Sequence, residues 1–373
     1  MKRVYLDWNA TTPPLEAVAE AMAAAAREAW GNPSSVHAFG RAARARVEEA
    51  REAVASLGRC DPRDVVLSGG GTEANNLALR SAFARGGGGV LVASRLEHPS
   101  VARVAEALER EGRARVRWVR VRREGTVDIE DVERALGEGQ VRLVALQAIN
   151  AETGVVQPVR EVVAMARRAG ALVHVDAVQA FGRGEDVCEE ADTRSLAAHK
   201  MRGPKSIGAL LVRPGLHIEP VLLGGSQERG IRPGTVDPVG AAGLAAAARH
   251  ARTSPARWSA LAPLRDALEA GLLALAKGAR VNGAGARRAP HVASVAFPGW
   301  SSPELVAAFD LEGVAASGGS ACSAGTAEPS SVLAAMGDDE AATCSVRFSL
   351  GEETTAEDVE AALAAAKTVL SRR

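Results

Sequence analysis

Between Asp64 and Val212, short β-branched runs alternate with stretches whose apolar positions recur every three or four residues. The runs "DVVLS", "GVLVAS", "VRWVRV", "LVALQAI", "ALVHVDA" and "IGALLV" predict strands. "EANNLALRSAFAR", "SVARVAEALEREG", "IEDVERAL" and "VREVVAMARRAG" predict the helices between them. That alternation predicts an α/β fold around a mainly parallel sheet, covered on both faces. Ligands in such sheets sit outside the carboxyl ends of the strands, which says where to search for a site. After Pro238 the pattern changes. Helical stretches at Val239–Arg252 and Leu264–Ala276 lead to strands near Val292–Phe297 and Ser345–Leu350, which reads as a second, α+β lobe. There "SSPELVAAFDLEG" predicts Ser302 as an N-cap with Pro303 at the first helical position, and "TTAEDVEAALAAAKTVL" opens on Thr355 with Asp358 three residues later.

Composition adds limits more than direction. A chain of 373 residues is long enough for two domains. Lys+Arg and Asp+Glu both number 45, so no net field favours nucleic acid or membrane as a main partner. The basic run "REGRARVRWVRVRREG" places Arg113, Arg115 and Arg117 on one strand face without an aromatic platform, and reads as a solvated strand edge. The start "MKRVYLDWNATTPP" has no secretion-signal pattern, and "AVAEAMAAAAREAW" is broken by Glu20, Arg27 and Glu28, so it reads as an amphipathic helix. Cys60, Cys188, Cys322 and Cys344 make neither a disulfide framework nor a zinc pattern. A cytoplasmic location is expected.

Three features carry chemistry. In "VVLSGGGTEANNLAL" a strand runs into Ser68-Gly69-Gly70-Gly71-Thr72, and a helix is expected from near Glu73. Free N–H groups at such a start, with the Thr72 hydroxyl, suit a phosphate, although a plain tight turn explains the glycines equally well. In "ALVHVDAVQA" Asp176 ends an apolar strand, where a carboxylate needs a cation; a protonated pyridine nitrogen would serve, and an N-cap is the plainer explanation. Gln179 lies three residues on, within reach of a ring substituent. His174, on the same strand face as Asp176, reads as a satisfied core histidine. In "SLAAHKMRGPKSIGALLVR" Lys200 is one of only five lysines in an arginine-using chain. It follows His199 at a strand end, where a lysine of lowered pKa can form a Schiff base with an aldehyde; Lys205, after Gly203-Pro204, reads as an exposed turn residue. A phosphate cradle, a pyridinium partner and a lone lysine, in that order, make pyridoxal 5'-phosphate the economical cofactor.

At this point the chain resembles the class V pyridoxal-phosphate enzymes, and among them the cysteine desulfurases of the NifS/IscS type. The resemblance runs through "YLDWNATTP", "GNPSSVHAFG", "SGGGTEANNLAL", "EHPSV", "NAETGVVQP", "HVDAVQ", "HKMRGPKSIGAL", "ERGIRPGT", "SGGSACSAGTAEPS" and "VRFSLG". It implies fold type I: a large domain, residues 13–252, with a mainly parallel seven-stranded sheet, and a smaller α+β domain from residues 1–12 and 253–373. It implies that Lys200 is the Schiff-base lysine, Asp176 the partner of the ring nitrogen, and His98 the imidazole stacked on the ring and an aid to proton transfer. Gln179 would bond the phenolic oxygen. Gly71, Thr72 and His199 would hold the phosphate, with Thr235 reaching in from the other subunit of a homodimer. Arg347 would take the substrate carboxylate, and Cys322, in a loop rich in Gly, Ser and Ala, would accept sulfur from L-cysteine as a persulfide. The strand agrees for Arg347, since Val346, Phe348 and Leu350 face away from Ser345, Arg347 and Ser349.

Two positions depart from the family pattern. Ala151 stands where a second asparagine usually contacts the phenolic oxygen, and Ala197 where a serine usually contacts the phosphate. Weaker cofactor retention with intact chemistry is expected. The chain ends at "SRR", short of the tail that housekeeping relatives use to dock a scaffold, which leaves the sulfur-acceptor partner and the pathway, iron–sulfur cluster or other thio-cofactor synthesis, open. Other readings of the same residues are a selenocysteine lyase, a class V aminotransferase, or a degenerate relative serving in sulfur relay.

Overall fold

A computed structural model describes residues 3–84, 86, 88–184, 188–319 and 328–372. Its main sheet has seven strands in the order Val65–Ser68, Gly208–Val212, Thr193–Ala197, Leu172–Asp176, Val141–Gln147, Val90–Ser94, Arg115–Val119. Gly208–Val212 runs antiparallel to both its neighbours, and the other neighbouring pairs are parallel. Side chains alternate across the sheet. Val65, Leu67, Val90, Val92, Val144 and Leu146 enter one apolar cluster, and Val66, Leu91, Leu143 and Leu210 enter the cluster on the opposite face. Burial on both faces is why these strands read as continuous apolar runs.

Thr193–Ala197, absent from the sequence-derived strands, is fully buried in the middle of the sheet. Thr193, Arg194 and Ser195 dilute its apolar signal. Arg115–Val119 is an edge strand, as expected of the basic run. Arg117 meets Asp131 at 3.0 Å and Glu138 at 3.1 Å, and Arg120 meets Asp128 at 3.0 Å. These arginines are spent on local acids.

The remaining strands form a three-stranded antiparallel sheet, ordered Ser345–Ser349, Val292–Ala296, Arg280–Val281, and a parallel pair, Val4–Tyr5 with Val314–Ala315. Val4, Leu6 and Trp8 from the start of the chain share one cluster with Trp258, Phe297, Phe309, Val346, Phe348 and Leu350. The alternation expected of Ser345–Leu350 therefore holds, and it turns Arg347 away from this cluster.

Two local boundaries differ from expectation. The helix Ser302–Leu311 is capped by Ser301, one residue before the expected Ser302, because the buried Ser302 hydroxyl donates to the Ser345 carbonyl at 2.6 Å while the Ser301 amide donates to Glu304. The helix after the glycine run begins at Gly71, ahead of Glu73, because Gly70, at φ 130°, makes the turn. Thr355 and Asp358 do form the expected reciprocal cap. A buried ion pair shapes the same region: Glu228 accepts from Arg51 at 2.7 and 2.9 Å and from the Leu67 amide at 2.8 Å, pinning the segment that leads to Thr235 against the strand entering the glycine run.

Candidate active site

Asp176 ends its strand 7% exposed. Asn75 donates to its Oδ2 at 2.8 Å, and the Val178 amide and Ser195 hydroxyl donate to Oδ1 at 3.1 and 3.4 Å. All three donors are neutral. Beside it lies Glu97, whose carboxyl is pushed well above the ordinary range by burial and by the Asp176 charge. Glu97 Oε1 accepts from the Ser94 hydroxyl at 3.1 Å, and its Oε2 has no partner among the described residues.

Asn75 is oriented from behind. His174 Nε2 lies 2.9 Å from Asn75 Oδ1, which can only accept, and His174 Nδ1 lies 2.9 Å from the Thr193 hydroxyl. The imidazole therefore carries its proton on Nε2 and accepts at Nδ1. Burial lowers its pKa to about 4, keeping it neutral. The second Asn75 N–H reaches Ser100 Oγ at 2.8 Å, and Ser100 Oγ lies 2.7 Å from His98 Nδ1, which also accepts the Ser100 amide at 3.1 Å. One asparagine thus aligns both the Asp176 carboxylate and the His98 ring. His174 is satisfied, as expected, and it also orients Asn75.

Lys200 follows strand Thr193–Ala197 through the turn Ala198–Lys200. Its Nζ donates to the carbonyls of Asn9 and Ala10 at 2.5 and 2.8 Å. Gln179 Nε2 donates to the same Asn9 carbonyl at 3.1 Å, while its Oε1 accepts from the buried Arg183. The Asn9 side chain reaches the Ala151 carbonyl at 2.9 Å, and that carbonyl also accepts from Arg347 at 3.1 Å. Asn9 therefore links Lys200, Gln179 and Arg347 across the two sheets.

Gly71 packs against this group, because a Cβ there would come within 2.6 Å of Val178 and 3.7 Å of Ala197. A Cβ on Gly70 would meet nothing within 4 Å, so the helix start faces open space with Thr72 exposed. Glu73, in the first turn, is neutralised by Arg232 at 2.8 Å. His199 Nδ1 lies 3.2 Å from the Thr11 hydroxyl, and burial together with Lys200 and Lys205 lowers its pKa to about 4, which leaves a neutral hydrogen-bonding imidazole. Lys205 is exposed, as expected. Thr235 is exposed on the segment that Arg232 ties to Glu73. Cys322 lies outside the described residues. The Gly319 carbonyl, ahead of it, accepts from Arg347 at 3.2 Å, and Ser330, beyond it, donates to the buried Glu152 at 2.6 Å.

These residues fit pyridoxal phosphate. A buried carboxylate surrounded by neutral dipoles requires a cation, and a protonated ring nitrogen is one. The open helix start would take the phosphate, and Lys200 would supply the amine. Sequence reasoning gave no role to Asn75, Ser100, Glu97, Asn9 and Arg183, although all but Arg183 lie in the motifs "SGGGTEANNLAL", "EHPSV" and "YLDWNATTP".

The depressed His174 pKa has a consequence with a defined sign. The unfolded imidazole binds a proton below about 6.5, and the folded one refuses it until about 4. Stability should fall as pH drops through that interval, and His174→Gln should flatten that part of a plot of urea midpoint against pH. An unchanged slope would show that His174 is not held neutral.

The aminotransferase class-V profile matches residues 4–362. A cysteine desulfurase of Cereibacter sphaeroides is 41% identical over 365 residues, covering 96% of this chain and 94% of that protein. Among solved structures, a NifS-like protein aligns over 100% of both chains with a TM-score of 0.92 and 32% identity. SspA in complex with cysteine aligns over 94% of this chain and 100% of its own with a TM-score of 0.82 and 30% identity. With a profile matching nearly its whole length and a relative 41% identical over 96% of it, this chain belongs to the aminotransferase class-V family.

Proposed function

We propose that the chain is a pyridoxal-phosphate-dependent cysteine desulfurase, converting L-cysteine to L-alanine and passing sulfur to Cys322 as a persulfide. The observation that carries this reading is the aligned pair of Asp176 and His98 on Asn75, with Lys200 and Arg347 joined to the same site through Asn9 and the Ala151 carbonyl. Pyridoxal phosphate supplies a carbonyl for amine exchange and an electron sink for charge developing at the substrate Cα.

Every other part belongs to the chain. Asp176 would keep the ring nitrogen protonated, Gly71, Thr72 and His199 would hold the phosphate, and Gln179 would bond the phenolic oxygen. Lys200 would bind the cofactor through its amine and, once the substrate amine displaces it, would move the Cα proton with the aid of His98. Arg347 pairs with the substrate carboxylate, for which a guanidinium fork is well suited. The Cys322 thiolate attacks the substrate sulfur. An S–S bond forms, the C–S bond breaks, and its electron pair takes up a proton as alanine leaves.

The division into a large unit, residues 13–252, and a smaller one, residues 1–12 and 253–373, follows from this reading. A homodimer fits it as well. Trp30 and Phe39, 64% and 55% exposed, stack 5.1 Å apart, and Leu223 is 91% exposed, all apolar surface that a second copy would cover. In that dimer Thr235 would approach the partner's phosphate; sedimentation equilibrium giving a monomer at micromolar concentration would exclude it. The thiols of Cys60 and Cys344 fit a reducing cytoplasm, in which the persulfide would serve iron–sulfur or other thio-cofactor synthesis.

Cys322→Ala should abolish persulfide and sulfide formation from L-cysteine while the visible absorbance of the bound cofactor persists. Sulfide release at the wild-type rate would exclude the proposed acceptor and favour another class V reaction. Ala197 packs beside Gly71, so Ala197→Ser combined with Ala151→Asn should tighten pyridoxal-phosphate binding by about fivefold to 150-fold, in line with roughly 0.5–1.5 kcal/mol for each of two hydrogen bonds. Spectral titration of the apo-protein measures this, and unchanged affinity would show that the two alanines are not what limits retention.

A further inference from the structure

Arg347 is 2% exposed and has five N–H donors to satisfy. Nη1 donates to the Ala151 and Gly319 carbonyls at 3.1 and 3.2 Å. Nη2 donates to Asp7 Oδ1 at 2.6 Å. Nε is buried with no partner among the described residues. The guanidinium is therefore held by two carbonyls, matched by one internal carboxylate through a single oxygen, and left with an unfilled donor on the edge that a two-oxygen ligand would use.

Asp7 is built into this place. Its backbone bridges to Ser349, two residues beyond Arg347, and its carbonyl accepts from the Tyr5 hydroxyl and the Ala10 amide. Its side chain is 20% exposed, so the ion pair is not sealed from solvent on the Asp7 side.

We propose that Asp7 is a specificity-determining residue, an internal carboxylate that competes with the substrate carboxylate for Arg347. The proposal rests on the assignment of Arg347 to the substrate carboxylate. Asp7 already compensates the guanidinium charge, so an incoming carboxylate gains only what Asp7 does not provide: the second oxygen and the unfilled Nε. L-cysteine offsets that exchange through its amine, which joins the cofactor. A carboxylate without an amine has no such offset and is held weakly. After the reaction Asp7 re-forms its pair with Arg347, which favours departure of alanine.

The test titrates holoenzyme calorimetrically with 3-mercaptopropionate, which has the thiol and carboxylate of the substrate but no amine, and with its neutral amide. Asp7→Asn keeps an oxygen acceptor for Nη2 and removes only the charge. It should bind 3-mercaptopropionate about tenfold tighter, leave the amide unchanged, and lower KM for L-cysteine in the same direction. Arg347→Gln should lose 3-mercaptopropionate binding. If Arg347→Gln loses binding while Asp7→Asn binds as wild type or more weakly, the competition is overturned and the Arg347 assignment stands. If Arg347→Gln binds as wild type, both fall. Should Asp7→Asn not yield folded holoenzyme, Asp7→Ser gives the same comparison.

Discussion

Asp176 sits almost out of reach of water, held by Asn75, the Val178 amide and Ser195, with a second acid, Glu97, beside it. Removing a carboxylate from solvent costs several kcal/mol unless a cation meets it. Much of the surrounding architecture makes sense as a response to that cost. The parallel strands end together and place Asp176 beside the carboxyl end of Thr193–Ala197, with Lys200 one turn further on. Thr193, His174 and Asn75 form a neutral chain of donors that fixes the carboxylate without discharging it. The charge is left for a cofactor ring to balance.

The same reasoning separates two of the buried arginines, Arg183 and Arg347. Arg183 is enclosed among Asn9, Gln179 and the Lys200 carbonyl and stacks 4.7 Å from the Trp258 ring, with burial lowering its pKa to about 9. It orients the Gln179 amide and is otherwise spent on structure. Both arginines keep a buried Nε with no partner among the described residues, and Arg347 differs in pairing with a carboxylate, Asp7. A carboxylate ligand can exchange with that internal carboxylate, whereas the neutral partners of Arg183 offer no such exchange.

Much of this was legible in the chain. Short β-branched apolar runs located six of the seven strands of the main sheet, and the glycine run, Asp176 and Lys200 suggested the cofactor by their chemistry. The seventh strand, Thr193–Ala197, was obscured because its buried side chains include Thr193, Arg194 and Ser195, which resemble surface residues until the sheet closes over them. Asn75, Glu97 and Asp7 escaped for a related reason. Their partners are set by tertiary contact, and nothing in the residues around an acid or amide shows that it will be buried. Asp7 and Arg347 are 340 positions apart. The Ser301 cap was missed by one residue because two adjacent serines compete locally, and a distant carbonyl, that of Ser345, decides which one is free.

That long separation also orders events during synthesis. A ribosome makes Asp7 and Asn9 first and Arg347 almost last, and domains form as their segments emerge. A nascent chain can have its main sheet, glycine turn and lysine in place while Arg347, proposed above as the anchor of the substrate, is still untranslated. On that proposal, competence to process an amino acid is withheld until the polypeptide is nearly released.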